Sequence, residues 1–90
     1  MSQQRVIVYV TDFCPYCTRA KSLLDKRGIA YDVIDVSNDH GKRTWLVQTT
    51  GRRTVPQIFI DGTPVGGSDE LHELDRNGKL SKMMAATPSV

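Results

Sequence analysis

Apolar and polar positions divide the chain into short, distinct elements. Val6-Ile7-Val8-Tyr9-Val10 is an unbroken β-branched and aromatic run, the pattern of a strand buried on both sheet faces. Thr11-Asp12-Phe13 reads as a loop, and Pro15 stands where a helix begins, a position at which its missing N–H is not needed. Tyr16, Ala20, Leu23, Leu24 and Arg27 recur at helical spacing, and Gly28 suits the residue that ends the helix. Tyr31 to Val36, "YDVIDV", predicts a second strand. A second helix is expected from about Ser37 to Thr50, capped by Ser37 or Asn38 and stopped by Gly51. Trp45, Leu46 and Thr49 would form its inner face, although Gly41 and its threonines weaken the helical propensity. Thr54 to Ile60 reads as a strand, and Asp61-Gly62 is a hairpin turn into a short strand, Thr63 to Val65. After Gly66-Gly67, Ser68 is expected to cap a helix carrying Leu71 and Leu74. Gly78 interrupts it, Leu80, Met83 and Met84 predict a last helical turn or two, and "AATPSV" reads as a frayed tail.

The order β-α-β-α-β-β-α predicts an α/β fold with a mixed sheet and helices on its faces. With 90 residues the chain is read as one small domain, residues 1–90, with an ordered core over about 5–84. A chain of this length buries only roughly 60–65% of its unfolded surface, so a thin core is expected. The net charge of +2 is too small, and the basic residues too scattered, to argue for nucleic acid. The one basic run, Gly51-Arg52-Arg53-Thr54, reads as a solvated loop. The apolar run near the N-terminus is too short for an export signal or a membrane span. No membrane association is therefore expected, and the expected compartment is the reducing cytoplasm, where a permanent disulfide is disfavoured.

The chemistry lies in "TDFCPYC". Cys14 and Cys17 are the only two cysteines, and they could be a structural staple, half a metal site or a working redox pair. A structural zinc site needs four ligands, and the chain offers only Cys14, Cys17, His40 and His72, with the histidines far outside ligand spacing. A disulfide between residues so close in sequence closes a tiny loop and would stabilise little. A Cys-X-X-Cys pair between a strand and a helix start is, by contrast, a strong thiol-redox signal. At a helix N-terminus, free N–H groups and the macrodipole favour thiolate over thiol, lowering the pKa from about 8.5 to roughly 3.5–7.5. Cys17, one turn further in, is expected to be less exposed. That asymmetry makes Cys14 the nucleophile and Cys17 the resolving thiol.

Cys-Pro-Tyr-Cys, "TVPQIF" and Gly-Gly-Ser-Asp occur in that order, and on them the chain resembles the dithiol glutaredoxins over residues 5 to 84. The resemblance implies a thioredoxin fold, a four-stranded mixed sheet flanked by about three helices. It implies reduction of protein disulfides and of protein–glutathione mixed disulfides, with glutathione as co-substrate and no tightly bound cofactor. Residue by residue, the nucleophile falls on Cys14 and the resolving thiol on Cys17. Tyr16 matches the aromatic beside bound glutathione. Val55, before a proline at Pro56 expected to be cis, matches the residue whose backbone pairs with the glutathionyl cysteine, and Thr54 completes that loop. Ser68 and Asp69 match the pair that binds the γ-glutamyl end, with Gly67 allowing close approach. A helix starting at Ser68 supports this, since its N–H groups can hold a carboxylate and Asp69 can accept from an ammonium.

One position departs from the family pattern. Many relatives carry a lysine three residues before the nucleophile, near the glycine carboxylate of glutathione; here that residue is Thr11, still expected to bind glutathione by donating a hydrogen bond but bringing no charge. Arg43 on the second helix is expected to carry more of that contact; Arg53 or Arg52 could add to it, although the loop that holds them reads rather as solvated. Losing one exposed charge contact costs about 0.5–1 kcal/mol, or two- to fivefold. Trp45 reads as core packing, and His72 and His40 as solvated surface residues. Two other functions compete: carriage of a [2Fe–2S] cluster between two chains, against which Pro15 and Cys17 argue, and thioredoxin-like reduction without glutathione. The partners expected are glutathione and proteins bearing disulfides or glutathionylated cysteines, acting on a monomer.

Overall fold

The computed structural model describes residues 6–12 and 14–85, the side chains of residues 84 and 85 excepted. Arg5 at the start of the expected core, Phe13 in the loop and the expected tail beyond Ala85 lie outside the described residues. Among the described residues, four strands, β1 (Val6–Val10), β2 (Asp32–Asp35), β3 (Gln57–Ile60) and β4 (Thr63–Gly66), and four helices, α1 (Pro15–Lys26), α2 (His40–Thr50), α3 (Ser68–Arg76) and α4 (Lys79–Ala85), follow in the order β1-α1-β2-α2-β3-β4-α3-α4. The strands form one mixed sheet in the order β2-β1-β3-β4. β1 runs parallel to β2 and antiparallel to β3, with Val8 opposite both Val33 and Ile58. β3 and β4 make the hairpin expected from Asp61-Gly62, both of which have positive φ.

The apolar run of β1 is explained by what covers each face. Val6, Val8 and Val10, with Ile58 and Ile60, pack against Cys17, Ala20, Leu23 and Leu24 of α1, Leu71 of α3 and Leu80 of α4. Tyr9 and Phe59 point the other way, against Val36 and Leu46, with Ile7 and Ile34 half-buried beside them. The two faces alternate residue by residue, as the strand period requires. Among the described residues, α2 is the only helix that packs on this second face. There Trp45 stacks on Phe59 with ring centroids 5.6 Å apart, and Tyr9 meets Phe59 edge-on at 5.4 Å.

Several boundaries differ from the sequence expectations. The strand expected from Thr54 begins at Gln57, because Thr54-Val55-Pro56 forms a separate loop. α2 starts at His40, and its cap is Asp39, whose carboxylate accepts from the Lys42 N–H at 2.9 Å, not Ser37 or Asn38. Its inner line runs through Leu46, Val47 and Thr50; Thr49 is exposed, and Trp45 keeps 43% of its surface in solvent despite its stacking. Gly67, not Ser68, is the cap residue of α3. The left-handed conformations expected at Gly28 and Gly51 are present, with φ of 69° and 74°.

Leu24 is fully buried at the contact of α1 with the sheet. Leu24→Ala is expected to cost about 2–5 kcal/mol, by lost transfer energy and a residual cavity. Urea unfolding, with an unchanged m-value, is the measurement that checks it.

Candidate functional site

The site starts where β1 ends. Thr11 and Asp12 leave the sheet, and the Asp12 N–H donates to Ser37 Oγ at 2.8 Å, tying this loop to the end of β2. Ser37 in turn donates its N–H to the Asp35 carboxylate at 2.8 Å. That bond and the Ser37 hydroxyl hold Asp35 below the usual carboxylate range. Ser37 is thus a loop anchor rather than the expected helix cap.

Cys14 is the N-cap of α1, and Pro15 is its first helical residue, as expected. The Cys14 sulfur accepts from the Cys17 N–H at 3.2 Å, a first-turn donor of the kind that stabilises negative charge on sulfur. Cys14 Sγ also lies 3.7 Å from the Val55 carbonyl oxygen, which accepts its S–H. Cys17 is only 2% exposed. Burial above all, then its contact with the Cys14 sulfur, pushes its thiol up to about 12, while a Thr11 backbone bond and the charge of Lys21 pull the other way. The two thiols are one turn apart in very different surroundings: Cys14 is half-buried and reachable, Cys17 is sealed and protonated.

Facing Cys14 is the loop Thr54-Val55-Pro56, with a cis bond between Val55 and Pro56 as the resemblance implied. Gln57, buried behind it, donates its amide to the Thr54 carbonyl at 2.7 Å and fixes the loop on the sheet. Gly67 abuts Pro56: a Cβ there would stand 3.1 Å from the Pro56 carbonyl oxygen. A side chain there would require the Pro56 carbonyl to give way by a few tenths of an ångström.

Three adjoining depressions surround the Cys14–Val55 contact. Tyr16, Thr54, Val55, Pro56, Gly67, Ser68 and Asp69 line one groove of about 200 Å³, so seven expected ligand contacts share a wall. Thr11, Cys14 and Cys17 line a second, and Thr11 reaches neither of the others. Arg43 lies in a third, on the α2 side, joined to the first through Thr54 and Val55.

Two further residues shape the first groove: Glu70, not singled out from the sequence, and Arg52, read there as part of a solvated loop. The Glu70 carboxylate accepts from the Gly67 N–H at 2.8 Å and is held below the usual carboxylate range, chiefly by that bond. Arg52, expected to be solvated, pairs with Glu70 at 3.2 Å across the groove wall. A glutamate three residues after a cap residue is a capping-box signal that points to Glu70. His72, expected to be a bare surface residue, is half-buried, and its Nδ1–H donates to the Ser68 carbonyl at 2.8 Å. His40 is exposed, as expected.

The family model for glutaredoxin matches residues 6–65, two-thirds of the chain. The chain belongs to the glutaredoxin family. It is 45% identical over 85 residues to glutaredoxin 1 of Rickettsia conorii, spanning 92% of this chain and 83% of that protein. The solution structure of glutaredoxin from Brucella melitensis superimposes with a TM-score of 0.86 at 39% identity, covering 100% of this chain and 98% of that one. The crystal structure of a buckwheat glutaredoxin–glutathione complex gives 0.84 at 38% identity, over 91% of this chain and 77% of that one. This glutaredoxin is therefore a glutathione-dependent thiol–disulfide oxidoreductase with a thioredoxin fold. Among the described residues, no helix is long and apolar enough to cross a membrane.

The raised Cys17 thiol has a pH signature. The unfolded thiol ionises from about 9.0 and the folded one only near 12, so in that window the unfolded state holds fewer protons. Reduced-state stability should therefore fall as pH rises from about 9 to about 12, and Cys17→Ala should flatten the slope. Chemical denaturation across that range measures both. At neutral pH, iodoacetamide should label Cys14 alone in the native protein, read by intact mass.

Proposed function

We propose that the reaction runs on the residues around the Cys14–Val55 contact, in two modes. In the first, the Cys14 thiolate attacks the glutathione sulfur of a protein–glutathione mixed disulfide, and the protein thiol leaves with a proton. A second glutathione then attacks the Cys14–glutathione adduct, releasing glutathione disulfide and restoring Cys14. In the second, Cys14 attacks a protein disulfide, and Cys17 closes on the Cys14 sulfur to free the product. Potentials of such pairs lie at about −200 to −230 mV, within reach of glutathione.

The observation that carries this reading is the 3.7 Å approach of Cys14 Sγ to the Val55 carbonyl, with the start of α3 at the other end of the same loop. A glutathionyl cysteine pairing with the Val55 backbone sets its sulfur beside Cys14. Its γ-glutamyl carboxylate then meets the first-turn N–H groups and hydroxyl of Ser68, and Asp69 accepts from its ammonium. Tyr16, 55% exposed on the rim, covers the ligand, and Thr54 completes the loop beneath it. Arg43 takes the glycine carboxylate, the role that the departure at Thr11 leaves to it. Thr11 lies behind the thiols and contributes its backbone to Cys17.

In this reading the protein works as a monomer in a reducing compartment, the cytoplasm, on disulfide-bearing and glutathionylated proteins. It holds no resident cofactor and needs neither nucleic acid nor membrane. Turnover of a glutathionylated peptide with glutathione, glutathione reductase and NADPH tests it. Cys14→Ser should abolish activity, and Cys17→Ser should keep glutathione mixed-disulfide reduction while losing the dithiol mode. Activity surviving in the Cys14 variant would sink the assignment of roles. Arg43→Gln should raise KM for the glutathionylated substrate about two- to fivefold, with kcat little changed.

A further inference from the structure

The depression on the α2 side of Val55 is larger and more basic than one glycine carboxylate requires. It has a volume of about 460 Å³ and an apolar floor of Val36, Leu46 and Val47. Arg43 and Arg53 stand on its walls, and no Asp or Glu lines it. Arg52 at its rim is already paired with Glu70. Among the described residues, neither Arg43 nor Arg53 has a carboxylate partner. With Arg43 given to the glycine carboxylate in the proposed reading, Arg53 and the apolar floor are left over for something longer.

The backbone determines which part of a substrate arrives there. Among the described residues, no backbone bond of the chain uses the Val55 N–H or C=O. A substrate cysteine that exchanges both bonds with Val55 lies antiparallel to it, as an added strand. Pro56, against Gly67, marks the α3 end of the loop, and Arg53 marks the other. An antiparallel substrate therefore enters from the Ser68 side, and the residues after its cysteine pass over Thr54 toward Arg53 and Arg43.

We propose that this basic groove selects protein disulfides in which the attacked cysteine is followed, within two residues, by Asp or Glu. The inference rests on the placement of the substrate cysteine at Val55 given above, and it names the substrate class of the dithiol mode. In that mode the Cys14 thiolate bonds to the substrate cysteine sulfur, and the substrate S–S bond breaks. Its other sulfur leaves and takes a proton. Cys17 then loses its proton and bonds to Cys14, which frees the second substrate thiol. Two electrons pass from the Cys14–Cys17 dithiol to the substrate. The arginines take no part in these bonds; they raise the share of encounters in which the acidic side of the disulfide lies along Val55.

The test uses the full reduced chain without glutathione. Its probes are short acetylated peptides whose single cysteine is joined to thionitrobenzoate, the better leaving group, so that Cys14 attacks the peptide sulfur. The two residues after the cysteine are Glu, Gln or Lys, and release of the coloured thiol gives the rate. The expected order is Glu, then Gln, then Lys, with about five- to tenfold between the extremes at low salt and a smaller span at high salt. Arg43→Gln combined with Arg53→Gln should bring the ratio close to one, and Arg53→Glu should invert it. Equal rates for the three peptides in the wild-type chain, or a preference that survives the double variant, would overturn the proposal. Turnover of a glutathionylated peptide, measured alongside, reports the glutathione reading separately, because the peptide series contains no glutathione.

Discussion

The antiparallel register between β1 and β3 is the constraint from which the rest follows. Tyr9 pairs with Gln57, so the chain leaving β1 and the chain entering β3 emerge side by side at the same sheet end. One becomes the loop to Cys14, the other Thr54-Val55-Pro56. Residues 41 apart in sequence are thereby brought within 3.7 Å, thiol against carbonyl. A one-residue slip of β3 against β1 would put Phe59 in the place of Ile58 in the α1 core, so the larger apolar face enforces the geometry of the site.

The helices refine that placement unequally. α1 and α3 share the thicker face, and they are joined at its edge by Arg27, which donates to Asp75 at 2.7 and 2.9 Å. An exposed pair of this kind adds little stability, and the buried Leu24 and Leu71 do most of the joining. This packing brings two helix starts, Cys14-Pro15 and Gly67-Ser68, to one loop, the first at Val55 and the second at Pro56. α2 sits alone on the thinner face, held by Leu46 and the Tyr9–Trp45–Phe59 rings. It carries Arg43 to the opposite side of Val55, which places the basic groove and the Ser68 groove at the two ends of one backbone segment.

Cys14 and Cys17 show how one helical turn separates two chemistries. The N-cap position gives Cys14 a free approach and an N–H donor from Cys17, whereas the next turn places the Cys17 sulfur inside the core of α1. In the proposed dithiol mode, a Cys17 sulfur held protonated by burial would not compete with Cys14 for substrate, and it would already stand beside the bond it has to break.

Much of this was legible in the residues themselves. The β-branched run, Pro15, Gly28, Gly51 and Asp61-Gly62 each act through local backbone preferences, and they marked the elements to within a few residues. The cap position of Cys14 and the burial of Cys17 one turn on were readable too, because cap position and spacing are local. What only the tertiary structure decided depends on neighbours distant in sequence. Ser37 resembles a helix cap until Asp12 claims its hydroxyl, and Thr54 to Pro56 resembles strand until the sheet begins at Gln57. Arg52 looks solvated until Glu70 crosses the groove to meet it. Arg43 and Arg53 come to share a wall only because α2 folds over the far face of the sheet. A sequence specifies backbone preference residue by residue, but a groove is made by elements that meet across the sheet, and which surfaces meet is fixed by packing.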